Sequence, residues 1–164
     1  MDGLAFYFFG SAAVVTALLM VTRRNPISSA LWLVACFFAF AALFILLSAH
    51  FIGAIQILLY AGAIMVLFIF VIMLLNLGAE ELKSRMLRFP VLLGAVACAY
   101  FLFLISFSLV RESGNSFGEI PPDFGYTSFV GRLLFTRYAV PFEMTSVLLL
   151  VAIVGSVVMG KRKL

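Results

Sequence analysis

The amino-acid sequence predicts an all-α integral membrane protein with five transmembrane helices in a single membrane domain spanning residues 1–164. Three observations carry that prediction. Of the 164 residues, 65% are hydrophobic and only 11% charged, and the mean hydropathy is +1.23, too little polar surface to enclose an ordinary water-soluble core. Uncharged runs of about twenty residues, the length that crosses a bilayer as a helix, recur along the chain. Lysines and arginines sit at the ends of those runs, so the net charge of +4 reads as membrane orientation and not as a nucleic-acid surface.

The first span runs from Leu4 to Thr22, with Ala13 and Ala17 spaced to let a neighbouring helix approach one face closely. Asp2 precedes it and Arg23 and Arg24 follow it, the reverse of a secretory signal's charge order, so the reading is a retained helix. Arg23, Arg24, Asn25 and Pro26 make a short turn, and Ile27 to Ala49 forms the second span. His50 marks a brief turn, most simply an interfacial one.

Phe51 to Leu77 follows without a formal charge for 27 residues. At roughly 1.5 Å per residue this third span would reach about 40 Å against a hydrocarbon thickness of about 30 Å, so it must tilt, kink or be interrupted. Gly78 to Phe89, with Glu80, Glu81, Lys83, Arg85 and Arg88, reads as a solvated connector. Pro90 to Val110 is the fourth span. The stretch 111–139 collects Gly114, Asn115, Gly118, Pro121, Pro122, Asp123 and Gly125, which cannot cross a bilayer and form one long outer loop. Its second half, Tyr126 to Tyr138, mixes apolar side chains with Arg132 and Arg137 and is read as a short interfacial helix. Pro141 to Gly160 is the fifth span, closed by Lys161, Arg162 and Lys163.

Five crossings place the termini on opposite faces. With the N-terminus outside, eight basic residues fall on the inner face and three on the outer, so the expectation is N-out and C-in.

Redox or hydrolytic chemistry has little to work with. One histidine and two separated cysteines, Cys36 and Cys98, offer no ligand set, and no glycine-rich nucleotide loop occurs. The cysteines read as small buried hydrophobes. No acid or base lies at mid-membrane, so any part in proton movement is expected to be indirect. Trp32 and the other aromatics read as anchors or packing groups.

The middle of the third span has its own physics. Ala61, Gly62 and Ala63 form a narrow neck, and Gly is a poorer helix former than Ala by about 1 kcal/mol, so a change of winding would settle there at small cost. Tyr60 brings a hydroxyl that needs a partner in lipid-excluded surroundings: either it packs between helices and is satisfied locally, or it bonds a carbonyl freed by irregular winding. Because each residue turns an α-helix by roughly 100°, one extra π-type residue would swing Met65, Val66, Phe68 and Ile69 to another face.

The run Gln56-Ile-Leu-Leu-Tyr60-Ala-Gly62-Ala-Ile-Met65-Val66-Leu-Phe68-Ile-Phe70-Val-Ile-Met73-Leu-Leu-Asn76 resembles the third helix of the J-subunit family of proton-pumping NADH:quinone oxidoreductase, respiratory complex I, whose mitochondrial counterpart is NADH dehydrogenase chain 6. The resemblance extends over the first two spans, with Asn25-Pro26, and resumes at Gly131-Arg-Leu-Leu-Phe-Thr-Arg-Tyr138 and Pro141-Phe-Glu143 through the last helix. The long loop and the fourth span match loosely.

The resemblance implies a bacterial-type inner-membrane subunit that couples quinone reduction to proton translocation and carries no redox centre. It implies a π-bulge near Tyr60 and Gly62, with rotation of the segment beyond it opening and closing a water path; by the angular argument above, Met65, Val66 and Phe68 are then the apolar plug that moves. FMN, iron-sulfur clusters and quinone are then expected in partner subunits, and the partners would be the H, A and K subunits, the antiporter-like subunits and the lipid bilayer, with no nucleic acid. Some relatives carry an acid where this chain has Gln56, so its neutrality argues against direct protonation; Gln56 more simply hydrogen-bonds a neighbouring helix. Glu81 stands where relatives also show an acid, with a solvated inner-loop carboxylate as the simpler reading. Glu143, after Pro141, is accounted for by the helix dipole. Two rival readings remain open: a subunit of a multisubunit cation/proton antiporter, and a purely structural spacer of the membrane arm.

Overall fold

The computed structural model describes residues 2–75, 88–112 and 121–161, and among these there are helices and turns but no strand. Glu81 and most of the connector around it lie outside the described residues, as do Asn76 and residues 113–120 of the long loop.

Helix α1 spans Asp2–Thr22. Its threonine hydroxyls turn back on the helix: Thr16 Oγ1 donates to the Ala12 carbonyl at 2.7 Å and Thr22 Oγ1 to the Leu18 carbonyl at 2.8 Å. A polar side chain on an apolar span is satisfied within its own helix in this way. The turn that follows is closed by Asn25, whose Oδ1 accepts from the N–H groups of Ile27 and Ser28 at 2.9 and 3.4 Å. Pro26, at the first position of α2 (Pro26–Leu46), has no N–H to leave unpaired.

Among the described residues helix α2 packs against both α1 and the third span. Its buried residues are Ala30, Cys36, Ala39 and Ala41, and Ala13 is their buried counterpart on α1. Small residues let backbones approach: Cys36 Sγ lies 3.6 Å from the Ala13 carbonyl oxygen. Cys98, in contrast to the expectation of burial, is exposed, because its helix meets no other described element.

The second helix stops at Leu46 and not at Ala49, because Ser48 takes a left-handed φ of 62° that no helix continues. The chain then re-enters as α3 (His50–Ile55), a π-helical segment (Gln56–Ile64) and α4 (Met65–Leu75), together one continuous rod. Gly53 marks its crossing with α2. A Cβ there would lie 2.8 Å from Ile45 Cγ1 and 3.1 Å from the Ala41 carbonyl oxygen, so hydrogen is the largest substituent the crossing admits without movement of its neighbours.

Helix α5 covers Arg88–Glu112, α6 covers Thr127–Phe135, and α7 covers Ala139–Gly160. Among the described residues α5 packs on no other element, and α7 meets only α6. Among the described residues four helices are long and apolar enough to cross a membrane: Gly3–Thr22, Pro26–Leu46, His50–Leu75 and Ala139–Gly160. A shorter apolar stretch, Val96–Ser108, lies within α5.

Candidate functional site

The third span is where regular geometry fails. Ordinary α-winding holds through α3, with the Gln56 N–H still reaching back to the carbonyls of Ile52 and Gly53. From Gln56 to Ile64 the helix is wound as π. At its far end the Met65 N–H reaches the carbonyl of Tyr60, five residues back, as well as that of Gly62. A π-winding is wider and rarer than an α-winding and persists only where the sequence tolerates it. The tolerance here is the small-residue neck. A Cβ on Gly62 would stand 3.3 Å from the Ile57 carbonyl oxygen, five residues earlier, a tight contact that a shift of a few tenths of an ångström would relieve.

Tyr60 lies within this segment. Its ring meets Phe37 of α2 edge-on, with centroids 5.6 Å apart, and its hydroxyl makes no hydrogen bond among the described residues. Sequence reading did not single out Phe37, since one phenylalanine among several in an apolar span carries no distinguishing mark. Gln56 is half-buried.

Immediately beyond the π-helical segment, neighbouring residues have opposite fates. Met65 is 2% exposed, whereas Val66 is 66% exposed; Phe68 is exposed as well. Among the described residues Met65 is the one large apolar side chain that is buried, the other buried side chains being those of alanines and Cys36. The expected plug residues thus divide into one that is held and two that are free in this chain. Glu143 is exposed in the second turn of α7, because that helix starts at Ala139 and not at Pro141; the dipole's influence is largely confined to the first turn, so it accounts for less of Glu143 than expected.

Among the described residues no group of three or more His, Cys, Asp or Glu side chains comes together to hold a metal ion, and apolar side chains dominate the surroundings of Tyr60. What the arrangement offers is a mechanical irregularity, a helix whose register changes in mid-span.

An all-helical chain with several membrane-length helices, a core made of small residues and one span broken by π-winding defines a multi-pass membrane protein. More particularly, the chain belongs to the NADH-ubiquinone/plastoquinone oxidoreductase chain 6 family, whose model matches residues 16–159. It is similar to NADH-quinone oxidoreductase subunit J of Rhodobacter capsulatus, 32% identical over 163 residues that cover 96% of this chain and 81% of the relative. The subunit J of Escherichia coli K12 is 35% identical, covering 97% of this chain and 86% of the relative, and that of Pseudomonas aeruginosa 37% identical, covering 96% of each.

Proposed function

We propose that this chain is a membrane-arm subunit of an NADH:quinone oxidoreductase in the inner membrane of a bacterial-type cell, and that it couples quinone reduction to proton translocation without taking part in electron transfer. Its relatives carry the name of that enzyme over nearly the whole length of the chain. The redox groups of such an enzyme, FMN, iron-sulfur clusters and quinone, belong in this reading to partner subunits, with the H, A and K subunits and the antiporter-like subunits as neighbours. The chain crosses the bilayer five times, N-out and C-in. Helix α5, uncharged from Phe89 to Val110, serves as the fourth crossing, and the excess of lysine and arginine on the inner side sets the direction.

Coupling works by a change of winding in the third span. The observation that carries this reading is the π-helical segment Gln56–Ile64 ending directly at buried Met65 and exposed Val66. If the extra residue is released and the segment winds as α, a register change of one residue rotates α4 by roughly 100°. Val66 or Phe68 then takes the face that Met65 holds, and the apolar seal beside α2 opens or closes to water. Two discrete packings of one element are what a switching device requires.

The substitution Gly62→Leu tests this. In the π-wound form its Cβ would stand 3.3 Å from the Ile57 carbonyl oxygen, and leucine is a better α-helix former than glycine, so in this reading the α-wound form gains. Each 1.4 kcal/mol or so of bias moves the ratio of the two windings about tenfold. The assembled Gly62→Leu complex is expected to lose proton pumping per electron while the peripheral arm oxidises NADH at the normal rate. Undiminished pumping in that complex would refute the switch.

The chief competing reading, a structural spacer, is favoured by the exposed flanks of α5 and α7, which are suited to sealing against neighbours. Under it Gly62→Leu would act only through the amount of complex assembled.

A further inference from the structure

Helix α3 begins without a cap of its own. Ala49 stands at its N-cap position and has no side-chain oxygen to offer the unpaired N–H groups of the first turn. The missing acceptor comes from far along the chain: the Phe51 N–H donates to the Gly125 carbonyl at 2.8 Å. Gly125 has a φ of +77°, and a Cβ there would stand 1.8 Å from the Ser48 carbonyl oxygen and 3.0 Å from Ala49 Cα. Only glycine permits both the backbone conformation and the approach. Beside it the Tyr126 ring lies 5.3 Å from the His50 imidazole, centroid to centroid. The segment is also tied to its own helix, by Asp123 accepting from Arg132 at 2.8 Å and by Phe124 against Phe129.

We propose that residues Pro121–Tyr126 are a strap that pins the outer end of the third span to the α2–α3 turn, with Gly125 as the positioning residue. A rod with a changeable winding in its middle, free at both ends, would divide the rotation between its halves. Pinned at α3 by Gly125, and wedged again where Gly53 meets Ala41 and Ile45, it delivers the whole rotation to α4. Helix α4 has only Met65 buried to resist it. The consequence for α4 rests on the two-winding reading above; the pin itself does not.

The test uses the assembled complex in membranes, with His50→Cys and Tyr126→Cys bridged by a short bis-maleimide and the linked peptide identified by mass. The link is expected to form, and the linked complex to pump as many protons per electron as the unlinked double variant, because a pin does not move during turnover. Adding Gly125→Val is expected to cut the yield of link by at least about tenfold, since a β-branched residue is strained at positive φ and its Cβ meets Ser48. In the Gly125→Val complex without cysteines, protons pumped per electron fall while NADH oxidation by the peripheral arm continues. The proposal is overturned if no link forms in the assembled complex, if linking stops pumping, or if Gly125→Val abolishes the link and leaves pumping whole. Normal pumping by Gly62→Leu with an intact link would instead remove the winding reading and leave the pin in place.

Discussion

The ring of Tyr60 meets the ring of Phe37 edge-on, centroids 5.6 Å apart and planes inclined at 67°. The contact joins the π-helical segment to α2 through an apolar surface and not through the tyrosine hydroxyl. Edge-to-face pairs contribute about 0.5–1.5 kcal/mol beyond the area they bury. Tyr60→Phe, which keeps the ring, is therefore expected to retain the proton-to-electron ratio in inside-out vesicles, and Tyr60→Ala and Phe37→Ala to lower it. A Tyr60→Phe complex that no longer pumps would transfer the role to the hydroxyl.

Met65 and Val66 separate two effects that a single substitution would blur. Truncating a buried methionine costs about 2–5 kcal/mol, whereas Met-to-Leu exchange usually costs less than about 1.5 kcal/mol. Met65→Ala is expected to reduce the amount of assembled complex, and Met65→Leu to preserve it. Val66→Trp removes no buried contact in the present winding but blocks the face to which Val66 would turn. Assembly should stay near normal and pumping fall, as judged by native gels beside proton uptake.

The helical class and the over-long third rod are legible in the sequence because lipid imposes one rule everywhere: charge stays out of the spans and backbone groups pair within them. The neck at Ala61, Gly62 and Ala63 was legible too, since glycine's weak helix preference is local. Tertiary contacts were not. Nothing local distinguishes Phe37 from Phe38, one half-buried and facing Tyr60, the other exposed. Gly125 read as one turn-former among several, and its approach to Ser48 depends on two segments distant in sequence meeting at one end of the bundle. The exposure of Cys98 follows from α5 having no packing partner among the described residues, which hydropathy cannot report because lipid, a neighbouring subunit and a helix of the same chain all select apolar residues.

Asn25 supplies the acceptor for the first turn of α2, the helix on which both neighbours pack. Replacing such a cap by alanine costs about 1 kcal/mol, while aspartate and serine cap comparably well. Asn25→Ala is expected to lower the detergent concentration at which the subunit leaves the complex, and Asn25→Ser to restore it. Equal behaviour of the two would show that the turn is held by Pro26 and by the Ser29 hydroxyl, which donates to the Met20 carbonyl.

The ion pair of Asp123 with Arg132 is the feature of the strap most easily mistaken for its anchor. Its side chains are 42% and 67% exposed, and a pair that open to water contributes about 0–1 kcal/mol and weakens as salt is added. The contact of Gly125 with Ser48 and the Phe51 hydrogen bond involve backbone atoms, and neither depends on charge. Asp123→Asn is thus expected to change the yield of the His50–Tyr126 link by less than about fivefold, equally at low and high salt, with protons pumped per electron unaltered. A yield that collapses in Asp123→Asn, or in the unchanged strap on raising salt, would mean that electrostatics and not backbone fit holds the strap in place.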